Sequence, residues 1–299
     1  MRVWLTGASG FVGSNLRAVF EAGGAEVACP SRAEVDVADA GAVAASVEAF
    51  RPDALVHCAI LNDLTRLASR RQEAWDAYVG ATRNVVDAAN AAGARVVLVS
   101  TDWVFDGTQS GATEAEPPNP INAYGFLKAA SELVVAERAD RGAVARISGV
   151  QGIHRARVDA PREQDHGFGY FVASLVEALR AGRAFTVWEA EDINMRATPT
   201  LATDAADLIR RIIERERTGV HHCCGGESVT RGQLARAAAE AFELDEDLLL
   251  FGAPEPPDAP VPYDTSLDAT ATATALGVEL PSVAEQLERL REEMACLTT

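Results

Sequence analysis

Three features predict an α/β fold: strands and helices alternate through the first 150 residues, a glycine-rich turn directly follows the first strand, and the fourth strand is apolar without alternation. The expected architecture is a doubly wound parallel sheet followed by a smaller C-terminal α/β region. Arg2-Val3-Trp4-Leu5-Thr6 is a short apolar strand that runs into Gly7-Ala8-Ser9-Gly10-Phe11-Val12-Gly13, and a helix follows to about Glu21. Glu26 to Cys29 is the second strand, Ala40 to Phe50 a helix, Ala54 to Cys58 the third strand and Gln72 to Ala92 a long helix. Arg95-Val96-Val97-Leu98-Val99 is the fourth strand, and an apolar run of this kind marks burial on both faces. A loop rich in Gly, Pro and Asn, Gly107 to Asn122, leads to a helix over Ala123 to Arg138. The strand Ala143 to Ile147 follows and completes the βα series.

Beyond Ser148 the rhythm loosens. An amphipathic helix is expected over Phe171 to Arg180, a strand over Phe185 to Trp188, and a helix over Thr203 to Glu216 capped by Thr203 or Asp204. Gly219 to Cys223 reads as a strand, Arg231 to Phe242 as a helix, 254–262 as a Pro-rich linker and Val283 to Met294 as a last helix. The expected division is 1–150 for the main sheet domain and 151–299 for a smaller region, with about 201–224 returning to the main sheet.

The composition excludes several classes. With 48% hydrophobic and 24% charged residues in 299, the chain buries a real core. No apolar run approaches 18 residues and no secretory leader is expected, so neither membrane spanning nor secretion is supported. A net charge of −17 opposes non-specific binding to nucleic acid or anionic membrane. The five cysteines lack C-x-x-C spacing, which suits reduced thiols in a cytoplasmic protein. His221-His222-Cys223-Cys224 is not read as a metal site, because neighbours on a strand point to opposite faces and do not converge on one tetrahedral ion. Hydrolase and kinase readings lack a G-x-S-x-G elbow or a Walker lysine.

The glycine turn carries the first functional constraint. G-x-x-G-x-x-G after the first strand of a βαβ unit brings backbone N–H groups to a pyrophosphate at a helix N-terminus, which makes residues 1–150 a Rossmann-type dinucleotide-binding domain. At the end of the second strand an acidic residue would hold the ribose 2′-OH of NAD, whereas this chain has Pro30-Ser31-Arg32. A hydroxyl and a permanent cation suit a 2′-phosphate and favour NADPH. Glu34 and Asp36 lie close by, so NAD stays possible.

A second constraint is the single lysine among 26 arginines, four positions after a tyrosine in Tyr124-Gly125-Phe126-Leu127-Lys128. At helical spacing the two share a face, and an ammonium behind a phenol favours the phenolate. Bringing a phenol from its pKa of about 10 to neutrality takes roughly 4 kcal/mol. The alternative is one lysine left by chance on a solvated face in an arginine-biased chain.

Together these residues carry a resemblance. Gly7-x-x-Gly10-x-x-Gly13, Asp36-Val37, His57-Cys58-Ala59, Ser100-Thr101-Asp102-Trp103-Val104-Phe105-Asp106-Gly107 and Tyr124-x-x-x-Lys128 resemble the extended short-chain dehydrogenase/reductases. The S-T-D-W-V-F-D-G stretch and Pro120-Ile121-Asn122-Ala123-Tyr124-Gly125 are similar to the dTDP-4-dehydrorhamnose reductase branch. The resemblance implies hydride transfer from a nicotinamide to a sugar-nucleotide ketone. Tyr124 would then be proton donor, Lys128 ribose ligand and modifier of the Tyr124 pKa, and Thr101 a hydroxyl on the substrate oxygen. It further implies cofactor contacts from Gly7, Gly10, Phe11, Val12, Gly13, Ser31, Arg32, Asp36, Val37, Cys58, Ala59 and Ile60, beside Tyr124 and Lys128. Substrate contacts are expected from Asp102, Val104, Phe105 and Arg196, the last being alternatively a surface ion-pair partner. A homodimer is a possible assembly.

Two positions depart from the pattern. Tyr78 stands where relatives have an Asn that helps bind a water behind the lysine, and Gly149 stands in place of an aromatic residue at the substrate cleft. The loop Gly152 to Gly167, with His154, Arg155, Arg157, Arg162 and His166, is either a pyrophosphate lid or an ordinary solvated basic loop. Two other activities share the resemblance: a non-catalytic NADP-binding subunit like the beta subunit of methionine adenosyltransferase, and an NAD-dependent sugar-nucleotide epimerase.

Overall fold

The computed structural model describes residues 1–61, 67, 69–157 and 163–296, so Arg162 of the basic loop lies outside the described residues. The strands of the first half are β1 (Arg2–Thr6), β2 (Glu26–Ala28), β3 (Ala54–His57), β4 (Arg95–Thr101) and β5 (Gly142–Ile147). They are joined by helices α1 (Phe11–Ala22), α2 (Ala40–Phe50), α3 (71–92) and α4 (Ala123–Arg138). The second half adds β6 (Val150–Gln151), β7 (Phe185–Trp188), β8 (Arg196–Ala197), β9 (Thr200–Leu201), β10 (Gly219–His222), β11 (Val229–Thr230), β12 (Leu249–Gly252) and β13 (Asp264–Thr265). Its helices are α5 (Phe171–Arg180), α6 (Ala202–Glu214), α7 (Arg231–Ala241), α8 (Thr270–Leu276) and α9 (Val283–Cys296).

The central sheet is parallel throughout, with strand order β10-β5-β4-β3-β1-β2. From β1 the chain steps out to β2, then crosses back to β3 and continues the other way. This reversal sets the loops after β1 and β3 side by side, at the place where doubly wound sheets bind ligands. The predicted α/β fold class is therefore the observed one, and β10 lies at the far edge beside β5.

Alternation along each strand builds two cores. Val3 and Leu5 face Leu16 and Phe20 of α1 and Ile209 and Ile212 of α6. Trp4 and Leu55 face Val43 and Val47 of α2 and Val85 and Val86 of α3. A third cluster, around Phe171, Leu175, Val187, Leu234 and Leu287, joins α5, β7, α7 and α9. No helix among the described residues is long and apolar enough to cross a membrane.

Two local expectations are corrected. α6 begins at Ala202 with Leu201 in the capping position and no side-chain cap. Thr203 and Asp204 are used elsewhere: Thr203 donates to Glu293 at 2.7 Å and Asp204 accepts from Arg289 at 2.7 Å, tying α6 to α9. The long helix 71–92 contains a π-turn over Asp76–Gly80, which carries Tyr78.

The helix α4 is fixed to the sheet by a buried ion pair. Arg146 of β5 donates from Nε at 3.0 Å and from Nη2 at 2.7 Å to the Glu132 carboxylate, which also accepts from Ser100 of β4. Both charged side chains are almost fully buried. Removing one partner of such a pair strands the other charge, at about 3–5 kcal/mol. Glu132→Ala is therefore expected to lower the free energy of unfolding by about that amount, read as a shift of the urea midpoint at unchanged m-value.

Candidate active site

The glycine turn is shaped by close approach. Gly7 has φ +73°, and a Cβ there would stand 2.7 Å from the Ala59 amide nitrogen, across the β1–β3 crevice. A Cβ at Gly13 would collide with the Gly7 carbonyl, so α1 starts against the turn only with glycine at that position. Gly10 occupies the capping position of α1 without a side-chain cap, and Ser14 N–H returns to the Gly10 carbonyl at 2.9 Å. The N–H groups of Phe11, Val12 and Gly13 are thus first-turn donors at the positive end of a helix dipole.

Beneath this turn lies a hydrogen-bonded pair that the sequence reading did not identify. Thr6 Oγ1 accepts from the amides of Cys58 and Ala59, both at 3.1 Å, so its own proton goes to His57 Nδ1 at 2.8 Å. Burial, with the Lys128 charge as a second cause, lowers the His57 pKa to about 3.

Beyond β4 the candidate catalytic residues converge. Asn122 caps α4 by accepting from the Gly125 amide at 2.9 Å, and Tyr124 and Lys128 then point to the sheet's C-terminal edge. The Thr101 hydroxyl is a neighbour of Tyr124 that acts to lower the pKa of its phenol. Lys128 is buried and donates to the Val99 carbonyl at 2.8 Å, with its ammonium 5.7 Å from the centre of the Tyr78 ring. Burial lowers its pKa to about 8, against the pull of the Cys58 and Glu132 sites. The solvated-face alternative for Lys128 is excluded, since only 4% of the residue is exposed.

The expectation that Lys128 draws the phenol toward neutrality is corrected. Burial raises the Tyr124 pKa above its ordinary value, the Thr101 hydrogen bond opposes that, and the Asp102 carboxyl adds to it. The phenol is held protonated. Tyr78, the first departure, forms the wall behind this pair: its ring stands edge-on to Tyr124 at 6.2 Å and its hydroxyl donates to the Leu61 carbonyl at 3.1 Å. Trp103 closes the other side, edge-on to Tyr124 at 6.1 Å.

Other expected site residues fall in several places. Ser31, Arg32 and Asp36 are exposed beyond β2, and Ile60 is exposed after β3. Cys58 is half-buried, its thiol pushed up to about 11 by burial. The Val37 carbonyl accepts from Asn84 at 3.0 Å. Val104 and Phe105, expected at the substrate, are instead sealed in a core cluster with Ala112, Cys224 and Leu267, because the turn after β4 folds its apolar side chains inward. Asp102 is also buried. Arg196 donates to Ser228 at 2.8 Å and lies 4.0 Å from Asp264, the ion-pair alternative of the sequence reading.

The segment after β6 reaches back over α1. Phe11 stacks on His154 at 6.0 Å and meets Tyr170 at 4.9 Å, while Arg155 donates to Asn15 at 2.9 Å. The neighbouring stretch 164–168 is anchored by Arg231, which the sequence reading did not single out. Its buried guanidinium donates to the carbonyls of Asn194 (2.7 Å), Asp165 (2.8 Å) and Gly167 and lies over the Phe168 and Phe171 rings. Gly167 in turn packs against Trp103.

A parallel sheet with an uncapped helix N-terminus at its switch point, beside a Thr-Tyr-Lys cluster, is the framework of an extended short-chain dehydrogenase/reductase. The chain belongs to the RmlD substrate binding domain family, whose family model matches residues 1–296. Methionine adenosyltransferase 2 subunit beta of Rattus norvegicus is 30% identical over 81% of this chain and 72% of that protein. dTDP-4-keto-6-deoxy-D-glucose reductase of Streptomyces niveus is 29% identical over 81% of this chain and 79% of that one. The crystal structure of dTDP-4-dehydrorhamnose reductase from Bacillus anthracis in complex with NADP matches the fold with a TM-score of 0.83, at 24% identity, over 98% of this chain and 99% of that chain.

Two outcomes follow from this geometry. Gly13→Ala is expected to weaken nicotinamide dinucleotide binding at least tenfold, about 1.4 kcal/mol, measured by calorimetric titration. His57 stays neutral when folded but binds a proton when unfolded below about pH 6.5. The unfolded state therefore holds the extra proton between about 6.5 and 3, and stability is lost as pH falls through that window. His57→Gln is expected to flatten the acid limb of the stability curve there by up to about 1.4 kcal/mol per pH unit; parallel curves for the two proteins would contradict the assignment.

Proposed function

We propose that the protein is an NAD(P)H-dependent reductase that delivers a hydride to the ketone of a nucleotide-linked sugar, with NADPH favoured and a dTDP-4-keto-6-deoxy sugar the favoured substrate. The observation that carries this reading is the convergence of Thr101, Tyr124 and Lys128 beside an uncapped helix N-terminus. A bound nicotinamide cofactor would supply the hydride. The open amides of Phe11, Val12 and Gly13 fit a pyrophosphate, and the exposed Ser31 and Arg32 suit a 2′-phosphate. The kinship with reductases of dTDP-linked keto sugars supports the substrate class.

The chain's own residues then divide the work of proton transfer. As the ketone carbon gains its new bond, negative charge grows on the ketone oxygen. Tyr124, whose phenol is kept protonated by burial, gives that oxygen its proton. The Lys128 ammonium, one helical turn away, favours the phenolate left behind, a charge present only once the barrier is being crossed. Thr101 orients the phenol, and Tyr78 and Trp103 exclude water from its two sides.

A second reading is favoured by the 30% identity to a methionine adenosyltransferase beta subunit: an NADP-binding regulatory subunit without turnover. Stopped assays with a panel of keto sugar nucleotides separate the two. The reductase reading expects one NADPH oxidised per sugar reduced, a loss of at least about 100-fold in Tyr124→Phe, near 2.7 kcal/mol, and of at least tenfold in Lys128→Arg with folding preserved. Tight cofactor binding with no oxidation across the panel would establish the regulatory reading.

A further inference from the structure

Behind Thr101 sits a carboxyl group whose hydrogen-bonding side-chain partners are all hydroxyls. Asp102 is 5% exposed. Its Oδ1 accepts from Thr101 Oγ1 at 3.0 Å and its Oδ2 from Ser148 Oγ at 2.7 Å, and the nearby Thr265 hydroxyl also favours its ionised form. Among the described residues no arginine or lysine acts on this carboxyl. The titratable groups that face it are Tyr124 on α4 and Cys224 after β10. Burial is the largest influence and raises the Asp102 pKa above the ordinary carboxylate range, against the three hydroxyls.

The Thr101 hydroxyl has a single proton, and that fact sets the direction of the row. Thr101 Oγ1 already accepts from the Trp103 amide at 3.2 Å, and the Tyr124 hydroxyl stands beside it. With Asp102 ionised, the Thr101 proton is committed to the carboxylate, so Thr101 offers Tyr124 only a lone pair and holds the phenol proton back. With Asp102 protonated, the carboxyl donates to Thr101, and the Thr101 proton turns toward Tyr124.

We propose that Asp102 is a positioning residue that orients this row and returns the proton to Tyr124 after each turnover. The inference rests on the reductase reading for the donor role of Tyr124. The phenolate left by the reaction takes the Thr101 proton; Thr101 takes the Asp102 proton; the Asp102 carboxylate regains its proton from water once product has left. One O–H bond breaks and one forms at each step, and no redox change occurs. The route reaches Tyr124 through Thr101 and does not involve Lys128, whose ammonium lies 5.7 Å from the centre of the Tyr78 ring.

The test pairs difference infrared titration with a pH profile of turnover, on the whole protein and on Asp102→Asn. The expected result is a protonated-carboxyl band that persists above the ordinary carboxylate range and is absent from the variant. Wild-type turnover should fall as pH rises through the midpoint of that band, while the variant is about tenfold slower or worse and flat through the same range. Ser148→Ala supplies a second arm should Asp102→Asn fail to fold. Losing a hydrogen bond to the ionised form should move the midpoint up by about one pH unit. A carboxyl band unchanged by Asp102→Asn, superimposable pH profiles, or a midpoint unmoved in Ser148→Ala would each overturn the proposal. The infrared arm needs no substrate, so a protein that reduced no keto sugar would still reveal whether Asp102 holds the proton.

Discussion

The ion pair between Glu132 and Arg146 holds in place the part of the candidate site that α4 carries. Tyr124, Lys128 and Glu132 follow one another at intervals of four along a single face of α4, so fixing the last of them fixes the other two in rotation and height. Glu132 reaches β4 through Ser100 and β5 through Arg146, and Lys128 adds a second attachment at the Val99 carbonyl. Burying two charges costs several kcal/mol of solvation, and the multiple donors on the carboxylate offset that only in one register. An apolar contact would hold the helix to the sheet about as firmly but would tolerate sliding. A site that depends on the relative placement of two hydroxyls and an ammonium does not.

Much of this frame could be read from the chain. Periodicity locates α2, α4 and α5 to the residue; Asp39 and Asn122 cap the first turns of α2 and α4, whereas α5 starts from Tyr170 without a side-chain cap and has only its apolar stripe. The pairing of Tyr124 with Lys128 was legible for the same reason, being a spacing within one helix. What stayed hidden depends on residues far apart in sequence. Nothing local marks Arg231 as the anchor of 164–168, Thr265 as a partner of Asp102, or Glu293 as the acceptor that takes Thr203 away from its capping role. The direction of the Tyr124 shift is hidden for a similar reason. Spacing reveals which groups are near, whereas burial, the larger influence here, is a property of the whole fold.

The second half of the chain has its own core and is also tied to the first. Arg155 bonds Asn15, Phe11 is enclosed by His154 and Tyr170, and Arg231 holds a stretch whose Gly167 presses on Trp103 beside Tyr124. Groups that touch the glycine turn are thereby connected through packed aromatic rings to groups that touch Tyr124.

Gly149 shows how a backbone conformation limits what the cleft can become. Its φ of +47° follows a turn out of β5 in which the space beyond Cα is bounded by Pro199 at 3.3 Å, Phe168 at 3.4 Å and Ala197 at 3.5 Å. A side chain there meets both a strained dihedral and a wall. The aromatic residue that the resemblance leads one to expect at this point is therefore not one substitution away. Restoring it requires the loop around Phe168 to retreat first, so any shift of substrate preference through this position must pass through a loosened intermediate sequence, and laboratory evolution would find routes elsewhere in the cleft before it found this one.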